Sequence, residues 1–334
     1  MSHEVERMFS VTETPWHGLG AILPSHPDID KVRELAFPWE VEMKQLYIRD
    51  EVGLADAWLA RRTGADYKSI KHHAAVRKDN GYVLGVHGPN WTPLQNGDLL
   101  EKFRPLYDQG KIVFETAGTL NKGKKVWVLA QIVGDPGEVV KGDPVFKYLL
   151  LANGHDGSLA ATVGFTPIRV VCANTLAWAV ENADGRLLRV IHTPLVSDTV
   201  SKLFETINVA NQQFEAGMEI WQALAKRSIV ETDFHAYVKL VFGKSRHRNK
   251  EEARVDEIRV ENIWEQIQPL MEKGHGTDIP GVKGTYWGAY NAINQYLNYD
   301  VGRSQGTRLG SLWLGSGAKR NRIALDKAKE LALA

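Results

Sequence analysis

The chain has 334 residues, 43% of them apolar and 24% charged, with a formal net charge of +1. That balance excludes a disordered polyelectrolyte, and no run approaches the roughly 18 consecutive apolar residues that a membrane helix needs. Cys172 is the single cysteine, which excludes an intrachain disulfide and a cysteine zinc site. The acidic first segment has no apolar stretch of a secretory type, so a cytoplasmic protein is expected.

In chain order, residues 1–27 read as irregular, with Pro15-Trp16-His17-Gly18-Leu19-Gly20 as an aromatic plug tying the segment to a core. Asp30 to Ala36 suits a short helix stopped by Pro38. Val41 to Ile48 alternates weakly, as a strand would. Tyr67 to Val86 holds two apolar clusters split by Asp79-Asn80-Gly81, a hairpin signal. Its approach carries Lys68, Lys71, His72, His73, Arg77 and Lys78. Adjacent strand residues point to opposite faces, so His72 and His73 do not share a metal ion readily. Asn96 is placed to cap a helix over 97–103.

The stretch from Lys111 to Val180 is the densest in apolar residues. Ile112 to Leu120 and Lys125 to Val133 read as strands joined by Asn121-Lys122-Gly123. The second is apolar on both faces, as in a sheet covered on both sides. Tyr148 to Ala152, Leu159 to Phe165 and Ile168 to Ala173 follow as strands, with a turn at Asp156-Gly157 and Pro167 fixing the last entry. Asn174 or Thr175 then caps a short helix, 176–180. Cys172, on an apolar strand face, reads as an inert buried thiol.

Beyond the core, Arg186 to Thr193 suits one more strand. Ser197 or Asp198 caps a long helix to about Lys226, whose stripe includes Phe214, Met218, Trp221 and Leu224 at steps of three and four. Helices over 233–242, capped by Thr232, and 251–273 follow, separated by the basic run Lys244 to Lys250. Thr285 opens a helix with Tyr286, Tyr290, Ile293 and Leu297 on one face. The last helix spans about 318–331. The reading is an α+β fold: a mostly antiparallel β meander packed with helices, followed by a helical C-terminal region. A β-rich core domain over 1–195 and a helical region with a basic C-terminal segment over 196–334 are expected. The helical faces offer more apolar surface than one sheet obviously consumes, which suggests a homo-oligomer.

Two wordings, ETAGTL with VWVLA after a basic turn, and YLLLANGHDGS with TPIRVVCANTL, resemble the phage/plasmid-like protein family. That family is built on a domain of unknown function found in bacteriophages and mobile elements. PWHGLG, AAVR at 74–77, PLQN at 93–96 and NAINQY at 291–296 extend the resemblance over most of the chain. Where the family reads serine after the asparagine of its NxHDGS segment, this chain has Gly154. The resemblance implies a phage or mobile-element protein in a bacterial host cell. A meander closed by a helix is also similar to the core of single-strand annealing recombinases of the RecT and Red-beta type. That analogy implies single-stranded DNA as partner, oligomers, and no nucleotide cofactor.

No GxxxxGK[ST], GxGxxG after a strand or HExxH occurs, and the sequence points to no cofactor, no metal and no catalytic residue. Charge is uneven: residues 1–60 hold eleven Asp/Glu and five Lys/Arg, whereas 279–325 hold six Lys/Arg and one Asp. Basic residues interleaved with aromatics suit a single strand, held by a positive groove and stacking surfaces. The candidate binding residues are Arg246, Arg248 and Lys250 of the linker run, and Arg303, Arg308, Trp313, Lys319, Arg320 and Arg322 near the end. Two other readings stay open. One is a metal-dependent enzyme acting on nucleic acid or nucleotide through Glu115, Asp143, His155 and Asp156. The other is a phage interaction or assembly protein without nucleic acid.

Overall fold

The hairpin of β6 (Ile112–Leu120) and β7 (Lys125–Ile132) sits at the centre of the larger sheet. This computed structural model describes residues 5–11, 20–49, 67–169, 174–175, 188–190, 192, 207–301, 311 and 316–333. Asn121 and Lys122 in the hairpin turn take φ of 53° and 58°, the left-handed geometry that matches strand twist in tight hairpins. Gly123 follows at φ 97°, where a Cβ would come within 3.0 Å of Arg77 and Trp39.

The two apolar faces of β7 are both buried. Val126, Val128 and Ala130 join one core cluster, and Trp127 and Leu129 join a second on the opposite face. The next strand, β9 (Pro144–Gly154), repeats the division: Leu149 and Leu151 face one way, Tyr148 and Leu150 the other. Burying each large aliphatic side chain contributes about 1.5–3 kcal/mol. The first cluster is closed by α1 (Ile29–Ala36), which buries Ile29, Val32 and Ala36.

The nine-stranded sheet is antiparallel but for one pair. Beyond β6 lie β1 (Val5–Val11) and, parallel to it, β2 (Ala21–Leu23). On the other side β9 pairs with the two-residue strand β8 (Gly137–Glu138) and with β10 (Ala161–Arg169). β10 also pairs with β11 (Asn174–Thr175) and β12 (Leu188–Val190). Two expectations are corrected here. The two strands expected around Pro167 are one, and Pro167 pairs with Lys147 inside it. β12 and β11 bond only residues 161–163 and 168–169, so Pro167 falls where β10 has no outer strand among the described residues, a position that tolerates a missing N–H. Asn174 and Thr175 form a strand rather than a helix cap.

A separate three-stranded antiparallel sheet holds β3 (Val41–Arg49), β4 (Tyr67–Arg77) and β5 (Val83–His87). Arg77, 2% exposed, locks this sheet to the larger one. Its Nη1 donates to Glu6 at 2.6 Å and to the Lys122 carbonyl at 3.1 Å, and its Nη2 donates to Asp79 at 2.7 Å.

After β5 come α2 (Asn96–Glu101) and α3 (Arg104–Asp108). Asn96 does not cap α2. It lies inside the helix, fully buried, and its Nδ2 donates to the Trp39 carbonyl at 3.2 Å. The C-terminal helices are α4 (Ile207–Ala225), α5 (Glu231–Phe242), α6 (Lys250–Ile267), α7 (Leu270–Lys273), α8 (Tyr286–Gln295) and α9 (Ser316–Leu333). Thr232 does not cap α5, because the helix begins one residue earlier. The single helix expected over 251–273 is interrupted before Pro269, which cannot donate an i−4 hydrogen bond. Thr285 does cap α8, accepting from the Gly288 N–H at 3.2 Å.

Phe214, Met218, Trp221 and Leu224 of α4 pack with Tyr237 and Val241 of α5, Trp287 and Tyr290 of α8, and Leu325 and Ala328 of α9. Val139 and Val145 of the sheet region belong to this same cluster. The faces that suggested self-association are therefore largely consumed within the chain. Cys172 and the 176–180 helix lie outside the described residues, as does the start of the long helix before 207.

Candidate nucleic-acid interface

β4 bonds β5 only through residues 73–76, so residues 45–49 and 67–72 continue as a two-stranded ribbon. Gln45 pairs with His73 and Tyr47 with Ser69, which leaves residues 70–72 of β4 opposite Leu46 alone. That is a bulge. The Gln45 side chain fills it, donating to the Ile70 carbonyl and, at 3.4 Å, to that of His72. Past the bulge the register is regular: Tyr47 opposite Ser69, Ile48 opposite Lys68, Arg49 opposite Tyr67.

Directly opposed residues share a face, and so do residues two apart. Tyr47, Ser69 and Tyr67 are therefore on one face, and Ile48 and Lys68 on the other. Tyr47 is 59% and Tyr67 57% exposed, large values for aromatic side chains in strands. Lys68, Lys71 and His72 are exposed as well. Residues 43–49 and 67–73 contain no Asp or Glu. Lys44 pairs with Glu42, just inside, at 2.7 Å. The sequence carried this site only weakly, as a poorly alternating strand and a basic approach to a hairpin. What it lacked was the register that brings Tyr47 beside Tyr67.

The residues singled out from the sequence are placed differently. Lys244 and Arg248 both pair with Glu252, at 2.9 and 3.1 Å, and His247 lies 3.1 Å from Asp256. The Arg248 backbone N–H, then Lys244 and the Arg248 side chain, hold the Glu252 carboxyl below the usual range. The Lys244 N–H does the same to Asp256, with Arg259 and His247 assisting. Asn249 caps α6 by accepting from the Glu252 N–H at 2.8 Å. This basic run is in good part a helix start neutralised by its own first turns, although Arg246 and Lys250 remain exposed. On α9, Lys319 is exposed, but Arg320 turns inward: it donates to the Val241 carbonyl and lies 5.5 Å over the Phe242 ring. Arg322 pairs with Asp326 at 3.1 Å. Arg303, Arg308 and Trp313 lie outside the described residues.

Each acidic candidate has its own bonded neighbour. Glu115 is 3.4 Å from His26, Asp143 accepts from the Trp287 indole at 2.8 Å, and Asp156 accepts from the Ser158 N–H at 2.9 Å. Among the described residues no group of three or more His, Cys, Asp or Glu is arranged to hold a metal ion. His155 has other company that the sequence did not announce. Its Nε2 donates to Asn96 Oδ1 at 3.0 Å, and its carbonyl accepts from His87 Nε2 at 2.9 Å. Trp91 stacks between His87, at 3.7 Å, and His192, at 4.9 Å. His155 is fully buried, and burial, with His192 and His87 adding to it, pushes its pKa down to about 3. Burial lowers that of His192 too. His155 and His192 are thereby held neutral as hydrogen-bonding members of the core.

Fold and surface together define an α+β protein with a mostly antiparallel sheet, a helical C-terminal region and an exposed basic-aromatic ribbon. The chain belongs to the DUF932 family, a domain of unknown function, which matches residues 83–313. That span takes in the histidine cluster and begins just after the ribbon. The chain matches no curated protein and no solved structure. No helix among the described residues is long and apolar enough to cross a membrane.

Proposed function

We propose that this protein binds single-stranded DNA along the β3–β4 ribbon and promotes annealing or recombination of phage or mobile-element DNA without nucleotide hydrolysis. The observation that carries the reading is the ribbon itself: Tyr47 and Tyr67 exposed on one face, Lys68 and Lys71 exposed on the same strand as Tyr67, and no acid within residues 43–49 or 67–73. Single-strand binders combine positive charge for the backbone with aromatic surfaces for the bases. Arg246, Lys250 and Lys319 supply further exposed charge. The resemblance to phage/plasmid-like proteins and to RecT-type annealing proteins supports the setting.

The test is fluorescence anisotropy of a labelled oligonucleotide in EDTA without ATP, across a salt series. Each phosphate contact contributes about 0.7 to the slope of log K against log salt for a single strand. Replacing Lys68 and Lys71 with Ala is expected to flatten that slope by about 1.4 and to weaken all sequences alike. Failure of the unaltered protein to bind at low salt overturns the reading. Loss of substrate that requires a divalent metal would favour the nucleic-acid enzyme instead.

A further inference from the structure

We infer that Tyr47 and Tyr67 form a clamp that takes one unpaired nucleobase between their rings, an inference that rests on the proposed single-strand reading. The argument starts from register. Tyr47 is opposite Ser69, and Tyr67 is two residues before Ser69 on the same strand. The two tyrosines are thus diagonal neighbours on one face. Diagonal positions on paired strands are about 7–8 Å apart, somewhat less between Cβ atoms. Stacked bases along one strand are about 3.4 Å apart, so a base held between two rings needs a gap of about 7 Å. The diagonal spacing meets that requirement.

The residue that completes the corner suits the same use. Ser69, opposite Tyr47, is small and exposed, and its hydroxyl can donate to or accept from a base edge. Neither ring is drawn into the core: both are more than half exposed. The Gln45 side chain bonds across the bulge next to them, which fixes the register that sets the ring spacing. Lys71, two residues past Ser69, and Lys68, on the ribbon's other face, are both exposed and within the same strand as the slot, available to flanking phosphates. Every base has a π face, so the clamp accepts any base. It does not accept a base held in a duplex, whose faces are covered by its stacked neighbours.

The experiment compares an oligothymidine with an abasic strand of the same length and phosphate count, using the full chain and three variants: Tyr47→Ala, Tyr67→Ala and the double Tyr→Phe. The clamp requires the abasic strand to bind about tenfold or more weakly, with an unchanged salt slope. It requires each Ala variant to lose about the same factor on oligothymidine and little on the abasic strand, and the Phe variant to keep its affinity. A 2-aminopurine in the strand should be quenched on binding, and less so by the Ala variants. Circular dichroism checks that the variants fold; if an Ala variant does not, the abasic comparison on the unaltered protein decides. Equal affinity for the two strands overturns the clamp. If Lys68→Ala/Lys71→Ala still weakens binding in that case, single-strand binding stands without it. Absence of binding to either strand at low salt removes the underlying reading as well.

Discussion

The indole N–H of Trp287 donates to the carboxylate of Asp143 across 2.8 Å, and both side chains are at 0% exposure. Asp143 immediately precedes β9, and Trp287 lies in the first turn of α8. The bond therefore joins the sheet to the helical region through the interior. Trp287→Phe keeps most of the ring but leaves a buried carboxylate short of a donor. A hydrogen bond to a charged group contributes about 1.5–3 kcal/mol, so a loss of that size is expected in urea unfolding. A double-mutant cycle with Asp143→Ala should return coupling of the same order; additive losses would refute the pairing.

Stability should fall in mild acid. The folded-state pKa of His155 is about 3 and that of His192 is also lowered, in both cases mainly by burial. The unfolded chain, with histidine near 6.5, then binds protons that the folded chain refuses. Stability from these groups is complete above about pH 6.5 and drains as pH falls below it, for His155 down to about pH 3, at up to about 1.4 kcal/mol per pH unit for each histidine. Urea midpoints measured at pH 7.5, 6 and 5 check this. Equal midpoints at 7.5 and 5 would contradict it.

Leu150 is 1% exposed on the inner face of β9, packed with Trp127 and Leu129. Leu150→Ala should cost about 2–5 kcal/mol, the loss of transfer energy plus a cavity. A cost under 1 kcal/mol would mean that this face of the sheet is not tightly packed.

Neighbouring cations on α9 should behave unlike one another. Arg320→Ala removes a hydrogen bond to the Val241 carbonyl and the contact with Phe242, with an expected cost of about 1–3 kcal/mol. Lys319→Ala, on the exposed side, should stay within about 0.5 kcal/mol. Denaturation of the two variants side by side distinguishes them, and equal effects would place Arg320 wrongly.

Much of the fold was legible in the sequence because two-sided apolar strands and a 3.6-residue helical stripe are local patterns. The two-faced burial of β7 and the stripe of Phe214, Met218, Trp221 and Leu224 were both readable this way. Pro167 misled because a proline reads as a strand break unless one knows which edge lacks a neighbour. Asn96 misled because a side chain that could cap its helix bonds instead to a carbonyl 57 residues away. The candidate site was the least legible part. Charge density along the chain marked Lys244 to Lys250, but charge in space depends on which acids fold back, and Glu252 and Asp256 do. Tyr47 and Tyr67 are twenty positions apart in the chain, and only the strand register makes them neighbours.

The place of β1 in the sheet has a consequence for synthesis on the ribosome. β1 is not at the rim: it is hydrogen-bonded on one side to β6 and on the other to β2. Phe9 pairs with Ala117, so β1 leaves the exit tunnel about a hundred residues before its main partner. At about 5–20 residues per second the nascent chain carries this strand with one edge unfilled for on the order of 5–20 s. Phe9 and Val11, buried in the finished protein, are exposed for that interval. The nascent chain should therefore be a substrate for holdase chaperones until β6 emerges, and less so once the β1–β6 pair has closed.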